Sequence, residues 1–220
     1  MNSENTGSQR QRVLVINPNT NAQITQEMSL QIAAETAGNL CVEATNPANG
    51  PFSVETAADR AWAVETVMEL IADYPDMDAY VLACFDDIAV DEARNLVTGQ
   101  VFSIAQSAIQ TAVETARPYS VVTTVEGQIP TIRKLLAKYD PAGRGTVRAC
   151  GVGVADAFQR TDHAEAQLEL QITCAINGDG AECIILGSGA YAGRGRELSD
   201  RYGVRFVDGM SSALAFLSSP

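Results

Sequence analysis

The stretch Val13-Leu14-Val15-Ile16-Asn17-Pro18-Asn19-Thr20 sets the plan of the chain. Four consecutive apolar residues read as a strand buried on both faces, since a half-exposed strand would alternate with polar residues. Its polar end leads into a helical pattern over Ala22–Ala37, where Ile24, Met28 and Ile32 recur at four-residue spacing. The same alternation continues outward. Further strand candidates are Leu40–Ala44, Ala79–Ala83, Val101–Ile104, Tyr119–Val122, Val147–Val154, Cys183–Leu186 and Val204–Val207. Helical patterns lie over Glu55–Tyr74, ended by Pro75, over Gln128–Tyr139, and over Asp162–Asn177, opened by Asp162 with Glu165 and closed by Gly178. Strands alternating with helices predict an α/β architecture with parallel sheets.

A second regularity divides the chain. From Asn17, at the first strand end, to Cys84, after the strand Ala79–Ala83, the separation is 67 residues; from Thr123 to Ser188 it is 65. The repeat predicts two pseudo-symmetric lobes, each a parallel sheet flanked by helices. Ligands of such sheets bind beyond the carboxyl ends of the strands, so the polar ends should converge on one cleft between the lobes. The expected layout is a disordered N-terminal tail over 1–11, lobe 1 over 12–103 plus 205–220, and lobe 2 over 104–204.

Composition narrows the function. Fifteen Lys and Arg against 27 Asp and Glu give a net charge of -12, which repels phosphate backbones and anionic lipid, so neither nucleic acid nor a membrane is an expected partner. No apolar run approaches the roughly eighteen residues of a membrane span, and Met1–Gln11 carries no secretory-type apolar stretch, so the expected location is cytoplasmic. The five cysteines are odd in number and show no CxxC spacing, and His163 is the single histidine. That argues against a disulfide framework, a zinc site and a histidine-dependent hydrolase. His163 itself reads as an exposed residue opening a helix.

Cys84 is the sharpest candidate. It follows a strand directly and precedes Asp86 and Asp87, acids that suit the first turn of a helix, where a thiol ionises more easily. The alternative is a small buried hydrophobe, the reading that holds for Cys41, Cys150, Cys174 and Cys183. Asn17, Asn19 and Thr20 can cap the following helix, or Asn17 can offer its amide to a substrate carbonyl. Thr123 and Thr124 carry the same two readings, capping or hydrogen bonding to a developing oxyanion. Gly187-Ser188-Gly189 allows close backbone approach to a carboxylate or carbonyl.

Taken together, these segments resemble the aspartate/glutamate/hydantoin racemase superfamily and, within it, the hydantoin and allantoin racemases. The resemblance rests on Val15-Ile16-Asn17-Pro18-Asn19-Thr20, Asn49-Gly50-Pro51-Phe52-Ser53-Val54-Glu55, Ala83-Cys84-Phe85-Asp86-Asp87, Ser120-Val121-Val122-Thr123-Thr124, Val147-Arg148-Ala149-Cys150, Asp179-Gly180-Ala181-Glu182 and Val207-Asp208-Gly209, spanning about residues 12 to 217. It implies proton transfer without a cofactor at a carbon next to a carbonyl, between two cysteines on opposite faces of the substrate, and usually a homo-oligomer. Cys84 matches the first cysteine. The second belongs in a leucine-glycine-cysteine segment that here reads Leu186-Gly187-Ser188.

That departure matters, because a hydroxyl is a far poorer base than a thiolate. Two accounts fit it: an engineered replacement that stalls the reaction, or a natural serine that leaves Cys84 as the only acid/base group. By position, Asn17, Thr123 and Thr124 would hold ring carbonyls or amides, Phe85 would pack on the ring, and the backbone amides after Cys84 and Ser188 would face the enolate. Gly50-Pro51 with Ser53 and Glu55 carry two readings, a cover over the cleft or the start of the next helix, with helix start favoured for Ser53 and Glu55. Tyr191 reads as a residue that alters which substituent fits. The expectation is a racemase or epimerase of 5-substituted hydantoins or allantoin, with Cys84 and Ser188 as the catalytic pair. The rivals are a one-cysteine decarboxylase, isomerase or hydrolase on this fold, and a non-catalytic ligand-binding relative.

Overall fold

The computed structural model describes residues 10–36, 38, 40–115 and 118–218. Its elements are β1 Gln11–Ile16, α1 Ala22–Glu35, β2 Leu40–Thr45, α2 Ala57–Ala72, β3 Ala79–Leu82, α3 Val90–Leu96, β4 Gln100–Ser103 and α4 Ile104–Thr115 in the first half. The second half repeats the plan with β5 Tyr119–Thr123, α5 Ile129–Tyr139, β6 Gly145–Ala149, α6 Val154–Gln159, α7 Asp162–Gly178, β7 Cys183–Leu186, α8 Gly195–Tyr202, β8 Arg205–Val207 and α9 Gly209–Ser218. Two four-stranded parallel sheets result, in the order β2-β1-β3-β4 and β6-β5-β7-β8. The identical strand order is the internal repeat expressed in space.

The period of two along each central strand explains why the helices take both faces. In β1, Val13 and Val15 pack with α1 and α9, while Leu14 and Ile16 pack with α2 and α3; all four are 0% exposed. In β5 and β7, Val122, Ile184 and Leu186 face α6, α7 and α8, while Val121, Cys183 and Ile185 face α4 and α5. The lobes exchange helices. After β4, α4 crosses to pack on the second sheet, and after β8, α9 returns to pack on the first. The two exchanged helices touch where they begin: a Cβ on Gly209 would lie 2.6 Å from the Ile104 carbonyl oxygen, so only glycine fits there.

Several sequence expectations shift. The strand β1 begins at Gln11, inside the stretch read as a tail, and residues 1–9 lie outside the described residues. The return to lobe 1 comes at α9 and not at residue 205, because β8 pairs with β7 in the second sheet. The strand expected over Val147–Val154 stops at Ala149; Gly151 turns the chain with φ +70 and Val154 opens α6. The cap of α1 is Asn21, which accepts the Gln23 N–H, and not Asn17, Asn19 or Thr20. Thr56 forms a capping box with Asp59 at α2, and Thr161 caps α7 in place of Asp162. His163 is exposed, as expected.

Candidate active site

Each sheet ends its two central strands against the other lobe. The chain leaves β3 at Ala83, whose N–H still bonds the Ile16 carbonyl at 2.8 Å, and reaches Cys84 at the mouth of the first sheet. It leaves β7 at Gly187, bonded to the Val122 carbonyl at 2.9 Å, and reaches Ser188 at the mouth of the second. A Cβ on Gly187 would come within 2.6 Å of Val121 Cγ1, so glycine lets this strand end close to its neighbour. Cys84 and Ser188, both half-buried, line the same cleft. Asn17 and Asn19 reach it from the loop after β1, Ser53 and Val54 from the loop after β2, and Phe85 from beside Cys84. The second lobe supplies Gln128, Val154, Gly187, Gly189 and Ala190.

The Cys84 loop differs from the expected helix start. Asp87 and Ala89 adopt left-handed backbone (φ 49 and 59), the chain makes two turns, and α3 begins only at Val90. The acids therefore do not sit in a helical first turn; each is anchored elsewhere. Arg60 of α2 donates to the Asp86 carbonyl at 2.6 Å and pairs with its carboxylate. Asp87 accepts the Ser103 hydroxyl and, at 2.5 Å, the Tyr139 hydroxyl of the opposite lobe, with Lys138 Nζ 3.6 Å away. Burial and the Asp86 carboxylate push the Cys84 thiol well above its ordinary value, against the pull of Arg60 and the Phe85 N–H. At neutral pH Cys84 is a thiol. The small thiolate fraction is a strong base, suited to a weak carbon acid. Burial also raises the Asp86 carboxyl, which Arg60 partly offsets.

Ser188 is extended, and its Oγ accepts the Ala190 N–H at 3.3 Å, capping a short turn over Gly189–Tyr191. Among the described residues no carboxylate or imidazole hydrogen-bonds it, so nothing there activates the hydroxyl as a base. Asn17 lines the cleft, yet its amide hydrogens face Asn19 Oδ1, Thr25 Oγ and the Asn21 carbonyl within 3.0 to 3.3 Å. It shapes the loop more than it offers a free amide. Thr123 and Thr124 are fully buried and do not line the cleft. The Thr123 hydroxyl lies 2.7 Å from Gln128 Oε1 and 3.0 Å from the Gly187 carbonyl, and its single proton serves one at a time. It therefore acts through the groups that do reach the cleft. The Thr124 carbonyl accepts the Gly151 and Val152 N–H groups, fastening the loop that leads to Val154.

Phe85, 4% exposed, and the Gly187 to Gly189 turn line the cleft. Ser53, for which the sequence favours a helix start, takes the other reading: it lines the cleft and donates to Glu55 at 2.9 Å. Tyr191 points away, its hydroxyl 3.3 Å from Cys150 Sγ in the second core. Gln128, Val154, Ile24 and Met28 are cleft residues that sequence reasoning missed. For Gln128 a signal existed: it follows the β5 end as Asn19 follows the β1 end. For the other three, nothing in the linear pattern separates a cleft wall from a core. Among the described residues no group of three or more His, Cys, Asp or Glu is placed to hold a metal ion, and no helix is long and apolar enough to cross a membrane.

Comparison with known proteins agrees with this geometry. A family model described as Asp/Glu/Hydantoin racemase matches residues 13–217. A hydantoin racemase of Rhizobium meliloti is 33% identical over 203 residues, covering 91% of this chain and 84% of that protein. Among solved structures, an allantoin racemase from Klebsiella pneumoniae superposes with a TM-score of 0.88 at 30% identity, over 94% of this chain and 86% of the other. An allantoin racemase from Pseudomonas fluorescens gives 0.88 at 31%, over 93% and 88%. The chain belongs to the Asp/Glu/Hydantoin racemase family and is an isomerase of the racemase type.

Proposed function

We propose that the chain moves the proton on C5 of a five-membered cyclic ureide, a 5-substituted hydantoin or allantoin, without a cofactor. One observation carries the reading: Cys84 and Ser188 occupy equivalent strand ends of two repeated lobes and line one cleft. The Cys84 thiolate takes the C5 proton, and the electron pair of that bond moves onto the adjacent ring carbonyl as an enolate. Return of the proton from the Cys84 sulfur restores the original configuration. Protonation from the Ser188 side, by its hydroxyl or by water, gives the mirror image. Because nothing activates Ser188, the second route is slow and two-base racemisation is weak. The relatives that support the ring class are the hydantoin and allantoin racemases above.

The test is a chiral 5-substituted hydantoin in D2O at neutral pH, followed by proton NMR and polarimetry against a buffer blank. The reading expects C5–H to exchange for deuterium faster than optical rotation decays, and expects Cys84→Ala to bring exchange down to the blank. Consumption of the ring without exchange would replace this reading with a lyase or hydrolase.

A further inference from the structure

The internal repeat makes one difference between the lobes easy to see. The residue after each catalytic position faces the first helix of the opposite lobe. After Cys84 comes Phe85, which is buried among Ile132 and Leu135 of α5. After Ser188 comes Gly189, which faces Ile24 and Met28 of α1. The aromatic ring fills its side of the cleft. On the other side no side chain does so, and Ile24 and Met28 themselves become cleft wall, together with Val154.

The space at Gly189 is snug but adjustable. A Cβ there would sit 3.5 Å from Met28 Cε and 4.0 Å from Ile24 Cγ2, ordinary contact distances. Met28 approaches with the end of a flexible thioether chain, which can swing to match what enters. Resting on the cyclic-ureide reading, we infer that the C5 substituent lies against Ile24, Met28 and Val154, and that the substrate is a hydantoin with an apolar substituent in preference to allantoin. The ureido group of allantoin would leave water for a wall with no hydrogen-bonding side chain. Of the amide side chains that line the cleft, Asn17 already faces Asn19, Thr25 and the Asn21 carbonyl, Asn19 Oδ1 accepts from Asn17 and from the Asn21 N–H, and Gln128 Oε1 faces the Thr123 hydroxyl. Leaving buried donors and acceptors unmatched lowers affinity on the order of ten- to a hundredfold.

The experiment measures C5–H exchange in D2O for 5-isobutylhydantoin and for allantoin, each rate per substrate concentration divided by its uncatalysed rate in the same buffer. The native chain should favour the isobutyl compound by at least about tenfold, and Met28→Gln should cut that ratio about fivefold or more. A native ratio near or below one overturns the inference with no variant needed. So does a ratio that Met28→Gln, shown to be folded by circular dichroism, leaves unchanged. If Met28→Gln does not fold, the native ratio alone decides. Exchange of neither compound by the native chain overturns the cyclic-ureide reading and this inference with it, whereas exchange without preference overturns this inference alone.

Discussion

Replacing Gly187 with alanine tests how the Ser188 end of the cleft is held. The added methyl would meet Val121 Cγ1 at 2.6 Å and the Val122 carbonyl oxygen at 3.3 Å. Val121 is β-branched, 0% exposed and packed against α4 and α5, so it has little room to turn. Position 187 has no left-handed backbone, so the penalty is one of contact and not of torsion. Overpacking of this kind costs roughly 1–3 kcal/mol. At about 2–4 °C per kcal/mol for a chain of this size, Tm should fall by about 2–12 °C. Val121→Ala removes the clashing atom but also buried methyl groups, at about 0.8 kcal/mol per group before the cavity is counted. In the double variant the new methyl partly fills the space Val121 vacates. The combined loss should therefore fall short of the sum by about 1–2 kcal/mol. Urea denaturation of the four proteins, followed by circular dichroism, measures this coupling. Additivity within about 0.5 kcal/mol would refute the close approach as the reason for glycine.

Other predictions concern charge. Arg60→Gln leaves the Asp86 carboxylate unneutralised beside a thiol that burial and Asp86 already hold high, so the thiolate becomes rarer. Exchange should climb with pH through the neutral range in the native chain, and Arg60→Gln should lower it about tenfold at pH 7, one pKa unit's worth. An unchanged pH–rate profile would remove Arg60 from the account. On the far side of the second lobe, Arg148 grips Asp179 through Nε–Oδ2 at 2.7 Å and Nη2–Oδ1 at 2.6 Å, holding its carboxyl below the ordinary 3.8. A depressed carboxyl stabilises the fold above its unfolded pKa, and that contribution fades as pH falls through the folded value. Asp179→Asn should thus cost about 0.5–2 kcal/mol at pH 7, with a gap from the native chain that narrows below about pH 4. A gap equal at pH 7 and pH 3, by urea denaturation, would contradict it.

Much of the architecture is legible because buried parallel strands leave unbroken apolar runs, as Val13 to Ile16 and Cys183 to Leu186 do. What escaped has physical reasons. The helix α4 buries the small side chains Ala105, Ser107, Ala108 and Ala112 beside only two bulky ones, Ile104 and Ile109, and α8 buries only Leu198, so neither shows a long bulky stripe. The strand β8 is three residues long, too short to declare which sheet it joins. At Cys84 the pair of acids resembled a helix start, but the left-handed backbone at Asp87 and Ala89 postpones α3, and burial raises the thiol instead of easing its ionisation. The proposed pair, Cys84 and Ser188, and the glycines around Ser188 were legible as strand ends that line the cleft. The roles of Thr123, which props Gln128, and of Ile24 and Met28, which face Gly189, depend on how one lobe meets the other.

The most direct test of a carbon held between positions 84 and 188 is Ser188→Cys. A thiol there supplies the missing base on the second face, so decay of optical rotation of a chiral 5-substituted hydantoin should accelerate at least about a hundredfold over the native chain, within the range given for a positioned acid/base group. It should then run at a rate comparable to C5–H exchange, and Cys84→Ala in the same protein should abolish it. A Ser188→Cys protein that is folded, still exchanges C5–H and inverts no faster than the native chain would contradict the two-faced site.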